Sequence, residues 1–266
     1  MSGRTAPPSS ARREEILRLA GTAGPTSVEE LSERFGVTAS TIRRDLAHLT
    51  DRGLLTRTYG GALPLVAHPE EPLRRRTGEA FEAKRGIARW AAAQVRPGQT
   101  VLLDAGTTVG ALAHELRARA PLTVVTTGLT ALGALADADD VEVLCLGGTL
   151  RHLSQGFVGP VTEAALERVT ADAVFLGADG VSAEDGVCEA EHTQTRLKEL
   201  MARRSGRVHV LAHAAKLGRR PFHAWAVLPA GWTLVTDDSA DPRALAPFRG
   251  AGVRVVVTRP DGSAVD

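Results

Sequence analysis

Seven short apolar segments, separated by helix-forming stretches, constrain this chain more than any other feature. They are Thr100–Leu103, Leu122–Val125, Val141–Leu146, Ala173–Leu176, Arg207–Ala212, Thr233–Thr236 and Val253–Val257. Helical patterns over Val109–Arg119, Thr130–Asp137, Thr162–Val169 and Glu191–Arg203 fall among them, and an Ala-rich helix from Phe81 to Val95 precedes them. Strands that read as apolar runs are buried on both faces, so the pattern predicts a mostly parallel sheet covered by helices on both sides, an α/β fold. A domain of this kind needs about 180 residues, which leaves a separate N-terminal domain of about 60. The expected division is a disordered lead-in at 1–10, a small domain at 11–63, a proline-stiffened linker at 64–80 and the α/β domain at 81–266.

The small domain reads as a winged helix-turn-helix. A first helix from Arg12 to Gly21 turns Ile16, Leu17, Leu19 and Ala20 inward. Ser27 with Glu30 forms a capping box for the second helix, whose stripe is Val28, Leu31 and Phe35 and whose end is Gly36. Thr38 is the expected N-cap of the third helix and Gly53 its close. Ile42, Leu46 and Leu49 are spaced i, i+4, i+7 and must face the core, which turns Ser40, Arg43, Arg44 and Ala47 outward. Small polar residues and paired arginines on the outer N-terminal face of a helix suit a DNA major groove, where Ser40, Thr41, Arg43 and Arg44 would read bases and Thr38 would meet phosphate. Leu54 to Tyr59 with Gly60-Gly61 predicts a hairpin wing, in which Arg57 and Tyr59 could touch DNA. A plain capping hairpin fits the same residues.

Charge sharpens this reading. Residues 1–62 hold nine arginines against seven acids, a balance of only +2. Affinity for DNA grows with the number of phosphates neutralised, so a homo-oligomer is expected rather than a single copy. Arg74-Arg75-Arg76 is a charge run and is read as solvated, without a DNA role. Cys145 and Cys188 are read as reduced thiols. No apolar run approaches the length of a membrane span and the N-terminus has no apolar leader, so a cytoplasmic protein without membrane contact is expected. His209, His213 and His223 lack metal-ligand spacing, and no metal, cofactor or catalytic residue is expected.

The second domain places its polar residues just after strand ends, where open α/β sheets bind ligands. In Asp104-Ala-Gly-Thr-Thr108, Gly106 allows close approach, Thr107 and Thr108 supply hydroxyls, and the helix N-terminus supplies free N–H groups. Thr126-Thr127-Gly128, Gly147-Gly148 and Gly177-Ala-Asp179-Gly180 repeat the arrangement after later strands. Each alone is an ordinary strand-to-helix turn; four on one sheet edge point to a small anionic ligand. Lys198 and Lys216 are candidates for its cationic wall, although Lys216 reads equally well as a surface lysine. Asp104 and Asp179 could bind sugar hydroxyls or simply cap loops.

The segment TIRRDLAHLTDRGLLTRTYGGAL resembles the winged helix-turn-helix of the DeoR family of transcriptional regulators. The likeness continues through Arg76, Lys84, LLDAGTT, VVTTGL, LGGTLR, FVGP, FLGADGV and Lys216-Leu-Gly218, covering roughly residues 12 to 238. It implies a sensor domain similar to ribose-5-phosphate isomerase and CoA-transferase folds that binds a phosphorylated sugar or related metabolite. It also implies that Gly106, Thr107 and Thr108 hold phosphate, that Thr126, Gly147 and Asp179 line the pocket, and that Lys198 and Lys216 face it. Three positions depart from the family pattern. His213 stands where an aspartate precedes the pocket lysine, Gln194 where a glutamate is common, and Cys188-Glu189-Ala190 replaces a Thr-Thr-Pro turn.

Together these readings predict a repressor of carbohydrate or related genes that binds double-stranded operator DNA and is relieved by a phosphorylated metabolite. Two rivals stand beside it. One is a sugar-phosphate isomerase with a DNA-binding arm, which needs a carboxylate base. The other is a DNA-organising protein whose large domain only oligomerises.

Overall fold

The computed structural model describes residues 8–23, 26–51, 55–58, 61–64, 70–119 and 121–265. Gly53, Leu54, Tyr59, Gly60 and the first seven residues of the expected lead-in lie outside the described residues. Two compact units are present, Met1–Glu70 and Glu71–Asp266.

The first unit comprises α1 (Ser9–Ala23), β1 (Thr26–Ser27), α2 (Val28–Phe35), α3 (Ala39–Asp51), β2 (Leu55–Thr58) and β3 (Gly61–Pro64). α1 begins at Ser9, three residues before the expected Arg12 and within the stretch read as a lead-in. Ser27 Oγ accepts from Glu30 N while the Glu30 carboxylate accepts from Ser27 N, completing the capping box. Gly36 takes the left-handed conformation (φ 63°) that ends α2, and its N–H returns to the helix carbonyls. Ile16, Leu19, Leu31, Ile42, Leu46 and Leu49 form the buried core, with Leu17, Val28, Phe35 and Val37 packed around it. The wing is a hairpin of β2 and β3, and β1 adds to its β3 side.

The second unit opens with α4 (Leu73–Arg76) and α5 (Phe81–Ala93), and continues through β4 (Thr100–Leu103), α6 (Thr107–Leu116), β5 (Leu122–Thr126), α7 (Leu129–Leu135) and β6 (Val141–Cys145). A hairpin of β7 (Thr149–Arg151) and β8 (Gly156–Val158) leads to α8 (Pro160–Leu166) and β9 (Ala173–Leu176). Then come β10 (Gly180–Ser182), β11 (Gly186–Glu189), α9 (His192–Arg203), β12 (Val208–Leu211) and β13 (Ala224–Ala226). The chain closes with β14 (Thr233–Asp237), α10 (Pro242–Gly250), β15 (Arg254–Thr258) and β16 (Ala264–Val265).

The main sheet has the order β16-β15-β14-β12-β9-β4-β5-β6, and all its pairs are parallel except β15 with β16. All seven expected strands are in it. Alternate strand residues serve opposite cores: Val101, Leu103 and Phe175 pack with α5, α6 and α7, while Leu102, Val174 and Leu176 pack with α8, α9 and α10. Burial on both faces is why the strands read as unbroken apolar runs. The chain builds outward from β4 through β5 to β6, then crosses to β9 and builds the other way. The strand order therefore reverses between β4 and β9, and the carboxyl ends of these two strands flank the crevice such sheets use for ligands.

Three features differ from expectation. α6 starts at Thr107 rather than Val109, because Gly106 stands as its N-cap with φ 142° and ψ 165°, a conformation open to glycine. α10 is not among the helices read from the sequence; Pro242 sits at its start, where a missing N–H costs nothing, and Asp241 caps it by accepting from Arg243 N. α4 lies inside the expected linker yet belongs to the second unit, where Leu73 N donates to Leu153 O at 2.9 Å. Cys145 and Cys188 are free thiols, and Cys188 Sγ donates to Phe222 O.

Candidate functional site

Two surfaces carry the residues singled out by sequence. On α3, Ser40, Arg43 and Arg44 are exposed and Thr41 is half-buried, while Ile42 and Leu46 are sealed beneath. Thr38 precedes the helix; its carbonyl accepts from Thr41 N and Ile42 N, and its hydroxyl lies 2.9 Å from Ser40 Oγ and 3.0 Å from Thr41 Oγ1. Four of the expected residues thus share one hydroxyl-and-guanidinium face at the start of α3. Arg57 is placed in β2, and Tyr59 lies outside the described residues. Sequence reasoning missed Asp45, which shares the buried side of α3 and accepts from Arg12 Nε at 2.6 Å and Arg13 Nε at 2.8 Å, tying α3 to α1. A carboxylate one position before Leu46, on the inward face, was the available signal.

The second surface is a cleft at the switch point between β4 and β9. Gly106, Thr107 and Thr108 form its α6 side, Thr127, Ser154 and Phe157 its rim, and Asp104, Asp179, Glu189, Gln194, Lys198, Lys216 and Arg76 its polar floor and wall. Its volume is about 580 Å³ including the open mouth. The first-turn N–H groups of α6 lack intrahelical acceptors and lie at the positive end of the helix dipole, so this side favours an anion. Gly128 and Gly156 let two further loops close on Ala105, since a Cβ at either would sit 2.8 Å or less from Ala105 atoms.

Lys198 knits the floor together. Its ammonium donates to Asp104 Oδ2 at 2.5 Å, to Glu189 Oε1 at 2.7 Å and to Gly177 O at 2.7 Å, and Gly177 N returns a hydrogen bond to Asp104 Oδ2. Burial disfavours the charge, but Asp104 and Glu189 outweigh it and hold the Lys198 pKa above the ordinary lysine value. Burial lifts Glu189 to about 7, with the charges of Asp179 and Asp104 adding and Lys198 opposing. Glu189 Oε2 accepts from Gln194 Nε2 at 3.1 Å.

Lys216 donates to Ala178 O, and burial draws its pKa down to about 8, the charges of Arg76 and Lys84 adding and Asp179 and Glu189 opposing. Arg76 reaches from α4 to Asp179, 2.5 Å from Nη1 to Oδ1, and Lys84 Nζ donates to Arg76 O. Burial lowers Lys84 as well, the nearby Arg76 charge adding. His213 falls to about 4 through burial and the charges of Lys216 and Lys84.

Of the residues expected at the ligand site, Asp104, Gly106, Thr107, Thr108, Thr127, Asp179, Lys198 and Lys216 come together in this cleft. Thr126, Gly147 and Gly148 do not line it. Thr126 is fully buried, donating to Leu103 O and accepting from Gly128 N, so its hydroxyl joins β5 to β4. Gly147 and Gly148 turn the chain after β6 with positive φ, and Gly147 O accepts from Thr162 Oγ1 at 2.6 Å. The reading of Arg74-Arg75-Arg76 as a solvated run fails for Arg76, because a partner 103 residues away draws it into the cleft. Glu189 was noted only as a departure; a single carboxylate ending the buried strand GVCE was its signal.

Each compact unit matches a known family domain. The family described as DeoR-like helix-turn-helix domain matches residues 12–65, and the DeoR C terminal sensor domain matches residues 79–238. The HTH-type transcriptional regulator GlpR of Haloferax volcanii is 36% identical over 249 residues, covering 92% of this chain and 96% of that protein. The glycerol-3-phosphate regulon repressor of Escherichia coli K12 is 32% identical over 208 residues, covering 78% of this chain and 82% of that protein. Among solved structures, ribose 5-phosphate isomerase A from Methanocaldococcus jannaschii superposes on 50% of this chain and 52% of its own at 16% identity and a TM-score of 0.37. With one family domain over each compact unit and a relative matched nearly end to end, this chain belongs to the DeoR family of DNA-binding transcriptional regulators.

Proposed function

We propose that this protein represses carbohydrate or related metabolic genes, and that a phosphorylated sugar or sugar-derived metabolite bound in the cleft relieves the repression. Thr38, Ser40, Thr41, Arg43 and Arg44 read the operator from α3, Arg57 and Tyr59 serve the wing, and a homo-oligomer presents two such heads. The observation that carries the effector reading is the α6 N-terminus, with Gly106, Thr107 and Thr108, opening into a buried polar cleft at the switch point. A phosphate there meets free N–H groups, and the Asp104, Gln194 and Asp179 side chains lie within the same walls. One relative is named for the glycerol-3-phosphate regulon, which accords with an organic phosphate as the signal.

The cleft is a sensor rather than a catalyst. An isomerase needs a carboxylate able to take a proton from substrate. Here Asp104 and Glu189 are both held by Lys198, and Asp179 is held by Arg76. The expected outcome for full-length protein mixed with pentose phosphates is binding without turnover, followed by a coupled isomerase assay.

For the DNA half, titration with genomic fragments at moderate salt should reveal a preferred sequence. Arg44→Ala should weaken binding to it by about 1–3 kcal/mol if that side chain meets a base edge. Uniform affinity across fragments would overturn the regulator reading. A thermal-shift panel of phosphorylated sugars tests the other half, and no stabilisation by any of them would leave the second unit as an oligomerisation domain.

A further inference from the structure

The effector reading leaves open which end groups the ligand carries, and the cleft's hydrogen-bond inventory speaks to that. Gln194 stands in the first turn of α9 and is 7% exposed. Its Nε2 donates to Glu189 Oε2, and above a pH of about 7 Glu189 is ionised against the Lys198 ammonium and can only accept, so the amide orientation follows: nitrogen toward Glu189, Oε1 the other way. That Oε1 is buried and meets no donor among the described residues. Asp179 repeats the situation, with Oδ1 on Arg76 and Oδ2 buried without a donor. Both residues line the same cleft.

Two orphaned acceptors in one site are costly, and a ligand that brings donors removes the cost. Lys198 does not supply them, because its three N–H groups are spent on Asp104, Glu189 and Gly177 O. The cleft therefore holds N–H donors at the α6 end and two bare oxygens at Gln194 and Asp179, with the Lys216 ammonium, one N–H of which is spent on Ala178 O, in the same wall.

Resting on the effector reading above, we infer that the ligand is a polyol or sugar monophosphate whose hydroxyls donate to Gln194 Oε1 and Asp179 Oδ2. Phosphates with a carboxylate at that end are rejected. Gln194 sets this specificity, since Glu189 fixes it as an acceptor. A terminal carboxylate would bring acceptors to acceptors and add negative charge beside Asp179.

Calorimetric titration of the full-length protein at about pH 8.5, where Glu189 is ionised, with glucitol 6-phosphate, 6-phosphogluconate and inorganic phosphate tests this. The first two differ only in the terminal CH2OH or carboxylate. Glucitol 6-phosphate should bind more tightly than 6-phosphogluconate by at least about tenfold, the scale set by a satisfied against a frustrated buried hydrogen bond. Gln194→Met, which keeps length but loses the acceptor, should weaken glucitol 6-phosphate by about tenfold and leave inorganic phosphate unchanged. Asp179→Asn, with Oδ1 on Arg76 and a donor in place of Oδ2, should narrow the preference for polyol over acid, so the test does not hang on one variant's folding. Equal or tighter binding of 6-phosphogluconate by wild type, or unchanged polyol phosphate affinity in Gln194→Met, overturns the inference alone. Failure of all three compounds to bind wild type overturns the effector reading with it.

Discussion

Asp45 shows how much one residue beneath a functional face can matter. Its carboxylate sits on the inward side of α3 with Arg12 and Arg13 both on it, so the exposed Arg43 and Arg44 are presented by a helix anchored from behind. Breaking a buried ion pair by removing one partner costs about 3–5 kcal/mol. Asp45→Ala should therefore lower the stability of the first unit on that scale in urea titration and weaken operator binding with it; an unchanged midpoint would show the anchor to be idle. A second buried titratable residue governs acid stability. His209 stacks on Phe175 with ring centroids 5.0 Å apart, and neither ring nitrogen has a hydrogen-bond partner among the described residues. Burial, with the charges of Arg207 and Arg254, draws its pKa to about 4 from 6.5. Between those values the unfolded chain binds a proton that the folded chain refuses, so stability falls as pH drops from about 6.5 toward 4, by roughly 3 kcal/mol in all. His213 acts in the same direction. Thermal melts at pH 7 and pH 5 should show a smaller acid loss in His209→Phe than in wild type; equal losses would remove His209 from the account.

Among elements, α5 contains a conflict between local and tertiary preference. Gly86 lies mid-helix, where alanine would favour the helix by about 1 kcal/mol. A Cβ there would sit 2.3 Å from Arg259 O, so the glycine lets the turn after β15 pack directly on the helix backbone. Gly86→Ala should destabilise the second unit by about 1–3 kcal/mol despite its better propensity, read from the melting temperature; a stabilised variant would mean that the turn yields freely. The same contrast explains what was legible in the sequence. Strands such as Val101-Leu102-Leu103 announce themselves because each residue satisfies one of two cores. The capping box at Ser27 and the turn at Gly36 are local chemistry, complete within a few residues. Thr126 and Thr127 look alike in sequence, yet one donates into the sheet and the other faces the cleft, and only strand register separates them. Arg76 and Glu189 owe their places to partners brought near by topology, which no short window of sequence contains.

At the scale of the whole molecule, the proposed function requires a metabolite bound in the second unit to change the affinity of the first for DNA. α4 and Arg76 lie in the segment that follows the first unit, and Arg76 ends on Asp179 inside the cleft. A ligand that donates to Asp179 alters the partner of a side chain borne near the start of the second unit. Any such coupling acts both ways. If effector lowers operator affinity by some factor, operator must lower effector affinity by the same factor, and typical values run from about 5 to about 150. The modest +2 balance of residues 1–62 makes this measurable, since operator binding then rests less on charge alone. Fluorescence anisotropy of labelled operator across an effector series gives one factor, and calorimetric titration of effector with and without saturating operator gives the other. Matching factors well above one are expected. A factor of one in both directions, with each ligand still binding, would mean that the cleft and the reading helix share a chain but no free energy, since a ligand with equal affinity for both arrangements shifts nothing.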